Sequence, residues 1–403
     1  MSKRLKFLQL SDVHLDSPLS GGRLCLPQDK ADLRRAELRQ VFADAVQLAR
    51  ERDVDVILLP GDLFDDESVS DDTVNFVVDV LQREPHIPVV LAPGNHDPFS
   101  LTSPYSPQLR ARRGQPPWPQ HVWIVREPRF TAFRHPLLPD VSFTGMAYDR
   151  NRPIDDRLLA SPLPREAACF QLLIFHGSRD HYAPTGKKIT LPFSDQELAA
   201  QGFHYAAIGH YHSYAAIEQE GRILGCYAGC PAGRSLSETG KKGVLLGELI
   251  RDEDRVRVEV EPVRLDHREV GRLEISVQGV THRQALLDRV RDGLASSGYS
   301  RDDLLLVELA GRLPRGIDVS VPHDLVSERY FHVAFDTSRV KPDYDLALYL
   351  QPNVTSTEAR FAREMKTRLD AESDPERRKT LENALYYGLD ALVQKDVVPR
   401  YED

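Results

Sequence analysis

Short apolar runs that each end in Asp, Asn or His recur along the first half of this chain. They end in the segments SDVH (11–14), GD (61–62), PGNHD (93–97), HG (176–177) and GHYH (209–212). Each run is rich in Val, Ile, Leu and Phe, the pattern of a strand buried on both faces. Helical stripes predicted over 33–52 and 71–82 separate the first three runs, which indicates β-α-β units. Because ligands lie beyond the carboxyl ends of such strands, we expect the polar residues to meet at one place.

Composition and charge narrow the class of protein. With 403 residues, the chain is too long for one simple core, and its 41% hydrophobic and 28% charged residues are typical of a globular protein. The net charge of −9 argues against a basic nucleic-acid module, so phosphate binding would need metal or local basic loops. No run approaches the roughly 18 uncharged apolar residues of a membrane helix, and four cysteines are too sparse for a disulfide framework. We therefore expect a soluble cytoplasmic protein, without a membrane partner.

A shift in composition near residue 265 predicts three parts. The main domain would span 1–265, and strand, helix and strand patterns indicate a small α/β cap domain at 266–335. The remainder, 336–403, reads as a linker followed by C-terminal helices. One of these helices carries an apolar stripe, which consists of Leu381, Leu385, Leu389 and Leu392.

The polar residues at the strand ends are of the types that bind metal. The set comprises Asp12, His14, Asp62, Asn95, His176, His210 and His212. The alternate spacing within 12–14 and within 210–212 would point both side chains of each pair the same way. Carboxylate, amide and imidazole suit manganese, iron or zinc, and the lack of a cysteine among them disfavours structural zinc. Any one of these residues alone is more often an ordinary turn or core residue, so the ordered set carries the prediction.

Such a set can serve two cations if one carboxylate is shared. Two cations about 3.5–4 Å apart can clamp a phosphoryl group and lower the pKa of a water between them. A nearby histidine that binds no metal could protonate the leaving oxygen.

The ordered segments D-x-H, G-D, G-N-H-D, H and G-H-x-H resemble the calcineurin-like metallophosphoesterase superfamily. The longer segments LSDVHLDSP and GDLFD are similar to nuclease subunits of DNA double-strand-break repair, of the SbcD-like type and most closely the YhaO-like branch. The segments GRSLSETGKKG and LENALYYGLDAL extend the resemblance into the tail. It implies a two-sheet α/β sandwich flanked by helices, here with the small α/β cap domain and the helical C-terminal tail.

The resemblance also assigns roles to single residues. It implies that Asp12, His14 and His212 hold the first metal, that Asp62 bridges, and that Asn95, His176 and His210 hold the second. His96 would be the catalytic histidine that binds no metal, and Asp97 would orient it. The implied cofactor is two divalent metal ions, with manganese preferred. One departure is Asp65, which follows Phe64 where some members carry a further histidine.

Basic residues outside this set are candidates for contact with DNA. The loop at 104–120 could follow a DNA backbone and stack a base, or be a surface loop whose Trp packs into the core. Lys187 and Lys188 lie in a segment that resembles an incomplete phosphate-binding loop. Arg234 lies among glycines that could form the rim of the site. The predicted DNA contacts are Arg110, Arg112, Arg113, Trp118, Lys187, Lys188 and Arg234.

These residues favour a manganese-dependent DNA phosphodiesterase, an exonuclease or endonuclease of DNA repair that uses two metals. Two alternatives remain open. One is a phosphatase or phosphodiesterase that acts on nucleotides or small phosphoesters, since the same metal core serves both. The other is a clamp or structural subunit of an SMC-type ATPase complex. The resemblance implies DNA and an SMC-type, SbcC-like ATPase subunit as partners, with the leucine stripe as the docking segment, and a homodimer.

Overall fold

The chain forms two compact units. The computed structural model describes residues 3–19, 26–65, 69–151, 156–182, 189–253, 255–314, 316–322, 325 and 330–394. The first unit comprises Met1–Gly271 with Ser300–Leu305 and Tyr330–His332, and the second comprises Arg272–Tyr299, Leu306–Arg329 and Val333–Asp403. The division of the chain at residues 265 and 335 stays a prediction.

Strands dominate the first unit. The strands of the chain are β1 (Lys3–Gln9), β2 (Val56–Leu59), β3 (Val89–Leu91), β4 (Val122–Ile124), β5 (Thr131–Phe133), β6 (Val141–Gly145), β7 (Phe170–His176), β8 (Tyr205–Gly209), β9 (Ala215–Gln219), β10 (Arg222–Tyr227), β11 (Gly243–Asp252), β12 (Arg255–Arg264), β13 (Val270–Ser276), β14 (Leu304–Pro314) and β15 (His332–Asp343). One six-stranded sheet has the order β12-β11-β1-β2-β3-β4, and the other has the order β5-β6-β7-β8-β10-β9. β13, β14 and β15 form a separate three-stranded sheet.

The helices cover the sheets of the first unit and build much of the second unit. They are α1 (Gln28–Glu51), α2 (Asp71–Gln82), α3 (Pro107–Arg112), α4 (Asp195–Ala200), α5 (Arg283–Ser296), α6 (Leu346–Tyr349), α7 (Thr357–Ala371) and α8 (Pro375–Gln394), with a 3-10 turn at Leu158–Ala160. Ser70 caps α2 by accepting a hydrogen bond from the backbone of Thr73, an arrangement typical of helix N-termini. None of the helices in the described ranges is both long and apolar enough to span a membrane.

Three buried layers explain why the central strands are apolar throughout. Along β1 the side chains alternate, so that Phe7 packs between the two six-stranded sheets while Leu8 packs against the α1 side. On the far side of the second sheet, Phe175 of β7 packs with Leu198 of α4. Both faces of the central strands are therefore covered, which removes the apolar-polar alternation of a half-exposed strand. The prediction of a two-sheet α/β sandwich flanked by helices is confirmed.

The C-terminal part of the chain differs from its prediction. The region after residue 335, expected to be linker-like, continues as β15 to Asp343. C-terminal helices were predicted here, but the bounds of α7 were not, because its buried face consists of two alanines with only Met365 and Leu369 as larger apolar residues. Leu385 and Leu389 of the leucine stripe are buried in a cluster with residues of α7, so part of the stripe serves internal packing.

Candidate metal centre

The backbone that carries the predicted ligands is strained. Asp12, His14 and Asp62 have φ of 53°, 48° and 52°, and His210 has φ of 119°, a region that residues other than glycine rarely adopt. β1 ends at Gln9, so the expectation that the alternate spacing of an extended strand aligns these side chains is wrong. Left-handed turns after the strands aim the side chains instead. Strain of this kind costs of order 1–3 kcal/mol per residue and clusters at functional sites.

The two six-stranded sheets bring the seven predicted ligands together. β1, β2 and β3 of the first sheet lead to Asp12, His14, Asp62 and Asn95, and β7 and β8 of the second lead to His176, His210 and His212. Nε2 of His176 lies 3.2 Å from Oδ2 of Asp62 and 2.9 Å from Oδ1 of Asn95. The rings of His176 and His210 are 5.1 Å apart. Residues that are far apart in the sequence therefore face one another across the end of the sandwich.

Asp62 lies between two overlapping groups of donors. Its Oδ2 is 3.6 Å from Nε2 of His14, and the same oxygen makes the contact with His176. Asp12, His14 and His212 form one group whose ligand atoms lie within 4.8 Å of one another, and Asp12, Asp62 and His176 form another. These two groups share the carboxylate of Asp12, and Asp62 also forms a group with His14 and His96. Donor groups that overlap in this way are what a pair of cations close together requires.

The chemistry of these donors fits divalent cations. Asp12 and Asp62 are 0% and 1% exposed, and buried carboxylates need a compensating cation. Nε2 of His14 is buried and has no hydrogen-bond partner among the residues that the structure describes, so its lone pair is available. Burial lowers the pKa of His14 well below its ordinary value, which keeps the ring in the neutral form that binds metal.

The pKa of His176 is shifted in the direction opposite to that of His14. Burial alone would lower its pKa, but the Asp62 carboxylate beside it outweighs burial and raises the pKa to about 9. Burial likewise would raise the pKa of Asp62, yet His176 and then His14 hold it well below its ordinary value. Without metal the pair is therefore an ion pair, and a bound cation must displace the proton of His176.

Glycines next to the ligands permit the close approach of these loops. A Cβ on Gly94 would lie 2.3 Å from Oδ1 of Asp62, and one on Gly209 would lie 2.0 Å from the carbonyl oxygen of Pro60. Contacts this short between heavy atoms do not occur. Glycine before Asn95 and before His210 is therefore required for the donors to converge.

His96 lies at the exposed side of the centre, and its partner is not the predicted one. Its Nδ1 donates to the carbonyl oxygen of Asp65 at 2.8 Å, which leaves Nε2 for other contacts. Asp97 was expected to orient His96, but its buried carboxylate accepts hydrogen bonds from the backbone of Asp62, Phe64 and Gly94. That expectation is corrected. Asp97 holds the two ligand loops together, because backbone N–H groups converge on it.

Sequence reasoning missed a buried group that touches two of the predicted ligands. Glu238 accepts from Nδ1 of His212 at 2.5 Å, so Nε2 of His212 faces Asp12 at 3.7 Å. Nη2 of Arg234 donates to Glu238 at 3.0 Å, and Nη1 donates to Asp65, also at 3.0 Å. Oδ1 of Asp65 in turn lies 3.0 Å from Nδ1 of His14. We call Asp65, Arg234 and Glu238 the Arg234 bridge. Its sequence signal was weak, since Glu238 lies in a polar stretch away from any strand end.

The Arg234 bridge fixes the orientation of two histidines. Burial alone would raise the pKa of Glu238, but Arg234 and the hydrogen bond from His212 hold it well below its ordinary value, so it stays a carboxylate. A carboxylate that accepts from Nδ1 sets the tautomer and raises the basicity of the ring as a metal ligand. Arg234, whose side chain is 10% exposed, is thus part of the centre, in place of the predicted DNA contact at its rim.

We expect Glu238→Gln to weaken the binding of a divalent cation by roughly 10- to 100-fold, the usual cost of losing such a partner. The amide is uncharged, so the ion pair with Arg234 is lost, and its NH2 group cannot accept from the backbone of Arg234 as Oε2 of Glu238 does. Calorimetric titration with Mn²⁺ measures the affinity, and Glu218→Gln on β9 is a matched control. An unchanged affinity would contradict this role of Glu238.

The remaining predicted DNA contacts separate into three cases. Arg110 is buried and donates to the carbonyl oxygen of Pro116 and to Asn75, and the indole of Trp118 donates to Pro104, so both serve packing rather than DNA contact. Arg112 is exposed, and Arg113 pairs with Asp71 at 2.9 Å on the surface. Lys187 and Lys188 lie outside the described residues. The alternative of a surface loop whose Trp packs into the core is the one observed.

The sequence of this chain is similar to a known protein family and to two curated proteins. Residues 5–214 match the family described as calcineurin-like phosphoesterase. The chain is 27% identical over 246 residues to the uncharacterized metallophosphoesterase YhaO of Bacillus subtilis (strain 168), covering 60% of this chain and 57% of that protein. It is 25% identical over 243 residues to the DNA double-strand break repair protein Mre11 of Saccharolobus solfataricus, covering 56% and 54%. The chain thus spans a little over half the length of these relatives.

Two solved structures are also similar to part of this chain. The crystal structure of TT1561 of Thermus thermophilus is 14% identical, with a TM-score of 0.36, over 65% of this chain and 100% of that one. A dimetal phosphatase from Danio rerio is 13% identical, with a TM-score of 0.35, over 64% of this chain and 98% of that one.

Proposed function

The chain belongs to the calcineurin-like phosphoesterase family, whose members are metal-dependent hydrolases of phosphoesters, and we propose that its substrate is DNA and its metal manganese. The observation that carries the proposal is that seven donors, which follow five strands, lie together, with Asp62 3.6 Å from His14 and 3.2 Å from His176. The similarity to the Mre11 protein of DNA double-strand break repair supports a DNA substrate over a small phosphoester.

The residues of the chain divide the work of hydrolysis. Two cations would supply Lewis acidity to the phosphoryl oxygens and lower the pKa of a water between them. Asp62 would lie between the cations, while Asp12, His14 and His212 hold one and Asn95, His176 and His210 hold the other. His96, in its form protonated on both ring nitrogens, would donate the proton of Nε2 to the departing sugar oxygen, while its Nδ1–H stays bonded to the Asp65 carbonyl.

A comparison of two substrates tests the proposal. A long end-labelled DNA strand and bis(p-nitrophenyl) phosphate are each incubated with the protein and Mn²⁺, Mg²⁺ or a chelator. We expect cleavage of both substrates with Mn²⁺, none with chelator, and a kcat/KM at least about tenfold higher for DNA. Hydrolysis of the small ester without cleavage of DNA would leave a phosphodiesterase of small molecules and refute the DNA proposal.

We also propose a cytoplasmic homodimer that binds an SMC-type ATPase subunit. The exposed side of α8 is available for such contact, because its buried side packs on α7. Light scattering measures the mass in solution, and co-purification with a candidate ATPase measures binding. A monomeric mass would refute the homodimer. Absence of the ATPase from the purified protein would refute binding of the ATPase subunit.

A further inference from the structure

A pocket of about 550 Å³ includes in its lining Arg150, whose guanidinium contacts the backbone of His96. Its walls come from the segment that follows Asp97, from Arg126 and from the loop after β6. The lining residues used below are Phe99, Leu101, Arg126, Tyr148 and Arg150. Pockets for small organic groups have this size, about 300–1,000 Å³.

The wall of this pocket is attached to the loop that carries His96. Nη2 of Arg150 donates to the carbonyl oxygen of His96 at 3.5 Å, and the backbone of Tyr148 donates to that of Pro93 at 3.0 Å. A group held in the pocket is therefore fixed relative to the loop that carries Asn95 and His96.

The lining joins aromatic and apolar surface to positive charge. Leu101 is 72% exposed, and Phe99 and Tyr148 are half-buried. The guanidinium of Arg126 lies 5.9 Å from the centre of the Phe99 ring, and no carboxylate of the described residues pairs with it. The one carboxylate in the lining, Asp149, accepts from the backbone and side chain of Asn151.

A flat aromatic ring next to a phosphate matches this combination. Aromatic side chains and arginine can stack on nucleobases, and the charge of arginine also attracts the phosphate backbone of the nucleic acid. We propose that the pocket holds the unpaired base adjacent to the scissile phosphate, stacked on Phe99 and Leu101, with Arg150 near that phosphate. This inference rests on the proposed DNA substrate and adds that the strand is single or frayed at the cut.

Abasic substitution tests the pocket. Single-stranded oligonucleotides carry one abasic residue at successive positions around the cut, and wild type is compared with the double variant Phe99→Ala/Leu101→Ala. We expect the variant to raise KM about tenfold for the intact strand, as loss of one stacked base predicts. For the strand that is abasic at the pocket position, wild type and variant should have the same KM. The control Leu137→Ala removes an exposed leucine elsewhere and should change neither.

A fluorescent base gives a reading that does not depend on turnover. In the His96→Ala background, 2-aminopurine at the pocket position should be quenched on binding, and Phe99→Ala should abolish the quenching. Equal KM values for intact and abasic strands in an active wild type would overturn the pocket alone. A wild type that cleaves no DNA would overturn the substrate proposal, and this inference with it.

Discussion

Asp62→Asn is expected to remove metal binding and to lower hydrolysis of bis(p-nitrophenyl) phosphate by more than about 10³-fold, the upper range for loss of one transition-state contact. The carboxylate is 1% exposed and lies within 3.6 Å of Nε2 of His14 and 3.2 Å of Nε2 of His176. The asparagine side chain keeps the oxygen that accepts a hydrogen bond from the backbone N–H of His96, so the loop that carries His96 should keep its conformation. The charge shared between the two cations is lost. Metal content after dialysis and the rate of ester hydrolysis are measured together.

Asp266→Asn is the matched control for this variant. Asp266 is also a buried carboxylate, 5% exposed, but it pairs with Arg34 at 3.1 Å outside the centre. We expect the control to lose thermal stability while it retains both metals and its turnover per folded molecule. If Asp62→Asn retained two metals and a tenth of the wild-type rate, Asp62 would not be the shared ligand.

His96→Ala is expected to lower turnover by about 10²- to 10⁴-fold, the usual contribution of a general acid, while both metals stay bound. His96 is exposed, and its ring centre lies 4.6 Å from that of His14, close enough for a ligand role to be a real alternative. Its Nδ1 is already bonded to Asp65, so proton transfer would use Nε2. Metal content and kcat are therefore both required.

A substrate with a better leaving group sharpens the test of His96. An ester that leaves as a nitrophenolate needs little protonation, so the loss in His96→Ala should be smaller for it than for DNA. His86→Ala, at an exposed histidine next to Glu84, is the control and should behave as wild type. Loss of one metal in His96→Ala would make it a ligand.

The sequence predicted where the metal centre lies but not how its side chains are aimed. Buried strands and the residues that follow them are visible because apolar runs and their polar ends are local. The left-handed turns at Asp12, His14 and Asp62 are not visible, since the same spacing would also fit an extended strand. The carboxyl ends of the strands therefore predicted the convergence, whereas the alternate spacing predicted the direction of Asp12 and His14 for the wrong reason.

Contacts between distant side chains account for the other differences. Glu238 contacts His212 from a polar stretch that shows no periodic pattern in the sequence. Arg234 pairs with Glu238, but from the sequence alone a basic residue at this position also fits a contact with DNA at the surface. Asp97 follows His96 directly, yet adjacent residues in a bend point apart, and the carboxylate turned to the backbone of Asp62 instead. Arg110 read as exposed because a proline-rich loop surrounds it.

The donors of the centre come from both sheets of the sandwich, so occupancy by cations is linked to folding. A ligand that binds only the folded chain stabilises it by about 4 kcal/mol when present at a thousand times its Kd. A shortage of the metal in the cell would therefore lower the stability of the folded protein as well as its activity. It would shorten the lifetime of the molecule in the presence of proteases, so that the amount of this protein in a cell would follow the supply of its metal.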